Sequence, residues 1–237
     1  MSIGTYQCPN FLALLFGDDD FQKSLMIVNT AGWDTDCNSG NVGCILGIKN
    51  ELEGIQKGPD YITPVNDIIY LPTAYGSETM TDALLESQNI INITRRMNGL
   101  ESKVIKNNAR YNFEMETATQ GWMVDKTNDN NLNTSLSNVE FKSDNGTRAL
   151  QVSFTDLSFG LSSEVFVDSF FPEWFTKLEG YQVQRYFHYD YVACPTVYTG
   201  QKIKTEIVSR SEKDLRINLF IKYWGDGDKL IKITSED

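Results

Sequence analysis

The 237-residue chain predicts an α+β multidomain protein: an all-α portion over residues 1–100, a linker over 101–110, and an antiparallel β-sandwich over 111–237. Three observations carry this. Phe21, Leu25, Met26 and Asn29 recur at helical spacing. The run from Thr79 to Met97 holds neither Pro nor Gly. From Tyr111 onward the apolar period changes to two, with Gly, Asn, Asp and Ser turns between the runs.

Residues 9–16 open with Pro-Asn and continue through Phe11, Leu12, Leu14, Leu15 and Phe16, which predicts a short buried helix that Gly17 terminates. Asp18-Asp19-Asp20 stands directly before the next helix at Phe21. Carboxylates there favour the positive end of a helix dipole, so the cluster reads as a cap.

That second helix delivers the chain to Gly32-Trp33-Asp34-Thr35-Asp36-Cys37. Asp34 and Asp36 alternate with polar residues where a loop enters a helix, a place where hard cations such as Mg²⁺ find oxygen ligands. An EF-hand is excluded: counting from Asp34, its required Gly and Glu positions hold Ser39 and Ile45. Helix capping by Asp36 or Asn38 explains the same residues and stays level with metal binding at this point. Gly40, Gly43 and Gly47 share one face of the following helix. Each costs roughly 1 kcal/mol relative to Ala, so the face is expected to meet another backbone closely.

Pro59, Pro64 and Pro72 break regular structure after Ile48, leaving an extended excursion with short strands through Ile68, Ile69, Tyr70 and Leu71. Thr79-Met80-Thr81-Asp82 matches a Ser/Thr-x-x-acid helix start. Arg95-Arg96 complements that helix's negative pole, and Asn98-Gly99 ends it.

The expected strands are Tyr111–Met115, Leu150–Phe154, Val165–Val167, Lys204–Ile207 and Arg216–Ile221. Asp226 and Asp228 lie in a Gly-Asp-Gly-Asp hairpin turn before a last short strand. With so few strands after it, the sandwich is expected to lack an edge strand. Aromatic residues are frequent: Trp122, Trp174, Phe175, Tyr181, Tyr186, Phe187, Tyr189, Tyr191, Tyr198, Tyr223 and Trp224. Most are read as core, with Tyr186 to Tyr191 the best candidate for a surface platform.

A formal net charge of −11 repels phosphate backbones and argues against nucleic acid as a partner. No run reaches the roughly 18 apolar residues of a membrane-spanning helix, and the first residues lack a signal pattern, so a cytoplasmic setting is favoured. Cys8, Cys37, Cys44 and Cys194 show neither zinc nor disulfide spacing. One histidine, His188, removes the two-histidine metalloproteases and is read as packed among aromatics.

The Gly32-Trp33-Asp34-Thr35-Asp36-Cys37 motif resembles the late metal-binding motif of the ADP-ribosylglycohydrolases, approximately Gly-x-Asp-Thr-Asp-Thr before a small-residue helix. Cys8-Pro9-Asn10-Phe11, the Gly17-to-Phe21 stretch and Thr30-Ala31-Gly32 resemble that family's penultimate helices, so the likeness covers about residues 4–100. It implies an all-α domain, hydrolysis of an ADP-ribosyl or related ribosyl glycosidic bond, Mg²⁺ or Mn²⁺ held by Asp34 and Asp36, and an ADP-ribosylated substrate or ADP-ribose-like small molecule. Cys37 departs from the pattern, placing a soft thiol where a hydroxyl would meet Mg²⁺. The family's early Thr/Ser-Asp-Asp segment does not precede Asp34. The chain therefore reads as the carboxyl-terminal third of such a domain, inactive alone, with the remaining helices supplied by a longer native chain.

Phe113-Glu114, Gly121-Trp122 and Gly146-x-x-Ala149-Leu150-x-Val152 resemble jelly-roll modules of the carbohydrate-binding, galactose-binding-like type. That resemblance covers about residues 111–224 and implies a glycan ligand and a structural Ca²⁺ site with Glu114 as ligand. The rival reading is a non-catalytic binding protein whose sandwich recognises a carbohydrate or protein partner.

Overall fold

A computed structural model describes residues 3–71, 79–103, 109–126, 133–144, 146–155, 158–170, 179–180, 195–227 and 229–234. The chain is mixed α+β, with four helices and four two-stranded antiparallel sheets among these residues. It divides into two compact units, Met1–Thr199 and Gly200–Asp237. No helix among the described residues is long and apolar enough to cross a membrane.

The first unit opens with α1 (Ile3–Phe16), α2 (Phe21–Thr30) and α3 (Thr35–Gln56). α1 starts earlier than its sequence suggests and carries Pro9 in its interior, which forfeits one intrahelical hydrogen bond. Ala13 faces the core, whereas Phe11, Leu12, Leu15 and Phe16 are exposed, so the expected buried face is only partly covered. Gly17 makes the turn into α2 possible. A Cβ there would lie 1.8 Å from Ser24 Oγ and 2.4 Å from the Ala13 carbonyl oxygen. Asp20 caps α2 as expected, its carboxylate accepting from the Lys23 amide at 2.6 Å. Asp18 and Asp19 pair with Lys23 and Lys49.

α2 buries Phe21, Ser24 and Val28, and α3 buries Asn38, Val42 and Leu46. These positions repeat at three and four residues, the spacing of one helix face. Ala13, Phe21, Val28, Val42 and Leu46 form the core cluster, with Leu14, Leu25, Ile27, Ile55 and Tyr61 against it. Phe21 meets Tyr61 edge to face at 5.6 Å. The glycine face of α3 does not meet a backbone among the described residues. A Cβ on Gly40 would enter open space, one on Gly43 would touch Leu25 and Phe21 side chains, and one on Gly47 would touch Ile55, all at ordinary contact distance. Those glycines relieve no crowding.

β1 (Ile69–Tyr70) pairs with β2 (Met80–Thr81) inside the amino-terminal hundred residues. α4 (Ala83–Met97) follows, and its start lies later than the Thr79 pattern predicts because Met80 and Thr81 belong to the ladder. Asp82 is therefore the N-cap itself, accepting from the Leu85 amide at 2.8 Å, while Asp67 accepts from the Ala83 amide at 3.0 Å. Asn98 caps the other end, Gly99 turns with φ +70°, and Arg95 Nε donates to the Glu101 carbonyl at 2.7 Å. Arg95 thus closes its own helix.

Beyond α4, β3 (Met123–Val124) pairs with β6 (Val165–Phe166), and β4 (Thr134–Glu140) with β5 (Arg148–Phe154) in the register Thr134↔Phe154 to Glu140↔Arg148. Tyr111–Met115 is not a strand. Phe113 sits at φ +56°, its amide donates to Gln120 Oε1 at 3.0 Å, and Asn112 Oδ1 accepts from the Glu114 amide at 3.0 Å, so side chains replace ladder partners. β4, rich in Ser, Thr and Asn, was not expected at all.

The second unit holds a hairpin of β7 (Phe220–Gly225) and β8 (Lys229–Thr234). Asp226 and Gly227 lie in its turn, as expected, while Asp228 lies outside the described residues. Lys204–Ile207 forms no strand, and the Arg216–Ile221 ladder begins only at Phe220. Lys222 and Lys232 stand opposite one another, and each places its ammonium over the Phe220 ring, an attraction that offsets their mutual repulsion. His188, Cys194, Trp174, Phe175, Tyr181 and the Tyr186–Tyr191 cluster lie outside the described residues.

Two consequences are measurable. Gly17→Ala should lower stability by about 2 kcal/mol through overpacking; an unchanged thermal midpoint would mean that α1 and α2 do not approach so closely. Asp67 is 7% exposed, and burial, with the neighbouring Asp82 charge, raises its pKa despite the Ala83 amide bond. Between the ordinary and the raised pKa the folded state holds more protons at Asp67 than the unfolded one, so the contribution of Asp67 to stability is fully present below the ordinary value of 3.8 and is lost as pH rises through the raised value. Denaturant unfolding against pH should show this slope, and Asp67→Asn should flatten it.

Candidate metal centre

The loop between α2 and α3 is shaped from inside. Thr30 Oγ1 donates to the Met26 and Ile27 carbonyls as α2 ends. Gly32 turns with φ +75°, and Asp34 follows in the left-handed region at φ 47°, ψ 49°. Asn38, 3% exposed, donates through Nδ2 to the Trp33 carbonyl at 3.1 Å, while its amide donates to the Asp34 carbonyl at 3.0 Å. Ser39 Oγ reaches Asn29 Oδ1 at 2.9 Å. These bonds tie the loop to both helices and leave the carboxylates outward.

Asp34 occupies the N-cap position but makes no side-chain capping bond. Asn38 does not cap through its oxygen; its amide nitrogen holds the Trp33 carbonyl instead. Asp36 lies in the first helical turn, where its charge favours the helix dipole.

One ligand atom each from Asp34, Asp36 and Cys37 lies within 4.8 Å of the others, and all three residues are exposed. The Cys37 thiol is held above its ordinary pKa, first by its hydrogen bond to Asp34, then by the charges of Asp34 and Asp36. As a donor set, the two carboxylates suit Mg²⁺ or Mn²⁺, and the thiol does not. Asp34 and Asp36 are the pair that fits a hard ion.

Glu114 stands apart from this group. Its Oε1 accepts from the Thr147 amide at 2.8 Å and its Oε2 from the Thr147 hydroxyl at 2.5 Å. The Asp18–Asp20 cluster pairs with lysines and caps α2.

Sequence reading did not single out the polar centre at the start of α4. Asp82 is 1% exposed, and its Oδ2 accepts from Asn112 Nδ2 at 2.5 Å and Gln120 Nε2 at 3.3 Å. Asn66 Oδ1 accepts from the Thr119 amide at 2.7 Å nearby. The only local signal was a set of polar residues among aromatics: Tyr111 packs edge to face on Trp122 at 5.6 Å, and burial pushes its phenol pKa up to about 12.

Because Asp34 is the first cause of the raised Cys37 pKa, Asp34→Asn should increase the thiolate fraction near pH 8 and speed Cys37 alkylation by iodoacetamide several-fold. Mass spectrometry of the Cys37 peptide reads the rate; equal rates in both proteins would contradict the Asp34–Cys37 contact.

Comparison of the chain with protein-family models, with curated proteins and with solved structures finds no match.

Proposed function

We propose that residues 1–100 are part of a metal-dependent hydrolase acting on ADP-ribosyl or related ribosyl glycosidic bonds, joined to a jelly-roll β-sandwich that binds a carbohydrate. The observation that carries the hydrolase reading is the convergence of Asp34 and Asp36 at the start of α3, with Asp34 making no capping bond. The motif's likeness to ADP-ribosylglycohydrolases supplies the substrate class.

In this reading Asp34 and Asp36 hold Mg²⁺ or Mn²⁺, and the bound ion supplies orientation and polarisation of ribose hydroxyls or of water. The protein's own part is positional. Asn38 and Ser39 fix the loop from its buried side, so the carboxylates are preorganised and pay little ordering entropy on meeting a cation. Their exposure leaves room for an ion's remaining oxygen ligands and for substrate.

Calorimetric titration with Mg²⁺ and Mn²⁺, then with ADP-ribose in the metal's presence, tests the reading. One ion per chain and metal-dependent ADP-ribose binding are expected. At a hundredfold excess over Kd the ion should stabilise the fold by about 2.7 kcal/mol. Asp34→Asn should abolish both effects while leaving metal-free stability unchanged, since no capping bond is lost. Absence of metal binding would refute the hydrolase reading; metal binding without ADP-ribose binding would refute the substrate class.

A further inference from the structure

The jelly-roll likeness implies a structural Ca²⁺ at Glu114, and the residues around it do not fit one. Both Glu114 carboxylate oxygens accept hydrogen bonds from Thr147. The neighbouring carbonyls of Phe113, Met115 and Ala118 converge within one loop, as carbonyls do around Ca²⁺. At their focus stands a nitrogen: Asn138 Nδ2 donates to them at 2.7, 3.1 and 2.7 Å respectively.

We propose that the Asn138 side-chain amide takes the place of a cation, stapling the 113–118 loop to β4 without metal. Arg148 Nε donates to Asn138 Oδ1 at 2.6 Å, which fixes the amide with its nitrogen toward the three carbonyls. The loop needs such a clamp. Phe113 and Thr117 are held at φ +56° and +69°, in a backbone region that non-glycine residues rarely occupy. Three carbonyl dipoles aimed at one point would repel one another without a positive partner. The partial positive charge of the amide hydrogens meets that need at fixed stoichiometry and independently of ion concentration.

The staple also has a mechanical reach. Asn112 and Gln120, which bracket the loop, hold the Asp82 carboxylate at the start of α4. Asn138 therefore links the β4–β5 pair to that helix through one loop.

Thermal unfolding of the full chain in Ca²⁺ and in EDTA tests the proposal. The midpoint should be the same in both, after any response lost in Asp34→Asn is assigned to the Asp34 site. Asn138→Ala should lower the midpoint by about 4 °C in either buffer. Asn138→Asp places a carboxylate oxygen against the three carbonyls, so it should be less stable in EDTA and regain at least half of the loss in Ca²⁺. Three results would overturn the proposal: a Ca²⁺ response that persists in Asp34→Asn, an Asn138→Ala midpoint equal to wild type, or a folded Asn138→Asp indifferent to Ca²⁺. If Asn138→Asp does not fold, the wild-type and Asn138→Ala measurements decide.

Discussion

The carboxylate of Asp82 is where the middle of the first unit is held. At 1% exposure it cannot rely on water, and burying an unpaired charge would cost several kcal/mol. Three donors answer it: the Leu85 amide, Asn112 and Gln120. Bonds to a charged acceptor contribute roughly 1.5–3 kcal/mol each, so the set is large enough to offset the desolvation. The N-terminus of α4, the 112–121 loop and, through Asn138, the β4–β5 pair all depend on it. Asp67, which accepts from the Ala83 amide at the same helix end, adds a second carboxylate there, and the two repel.

The candidate metal loop uses the opposite arrangement. Its buried member is neutral Asn38, and its charged members face water. A neutral amide can hold the Trp33 carbonyl without desolvating a charge, and the exposed carboxylates keep their hydration until a ligand replaces it. The loop is thus positioned by groups other than its exposed carboxylates. Cys37 sharpens the contrast, since the two carboxylates that suit a hard cation also keep its thiol protonated.

Much of this was legible in the sequence. Asp20 as a cap, the break at Gly17, the end of α4 at Asn98-Gly99 and the Asp226-Gly227 turn follow from local chemistry that few neighbours can override. Strands were harder. Tyr111–Met115 alternates like a strand yet is a loop because Gln120 takes the Phe113 amide and Asn112 folds back on Glu114. β4 does not look like a strand because one of its central positions carries Asn138, whose amide serves carbonyls elsewhere in the chain. Period-two patterns report burial, and here hydrogen bonding decides the pairing. The glycines of α3 show the same limit: a shared face can be read from spacing, but not what lies against it.

By itself the sequence determined the mixed α+β character, the Asp20 cap of α2, the Asn98-Gly99 end of α4 and the presence of two aspartates at the entrance of α3, because each rests on contacts spanning at most a few residues. Only the tertiary structure decided that Asp34 is left without a capping bond, that Asp82 gathers Asn112 and Gln120, and that Asn138 stands at the focus of three carbonyls. Those outcomes join residues about 20 to 40 positions apart or require one neighbour to be absent, and no local pattern encodes where a side chain's hydrogen bonds will be spent.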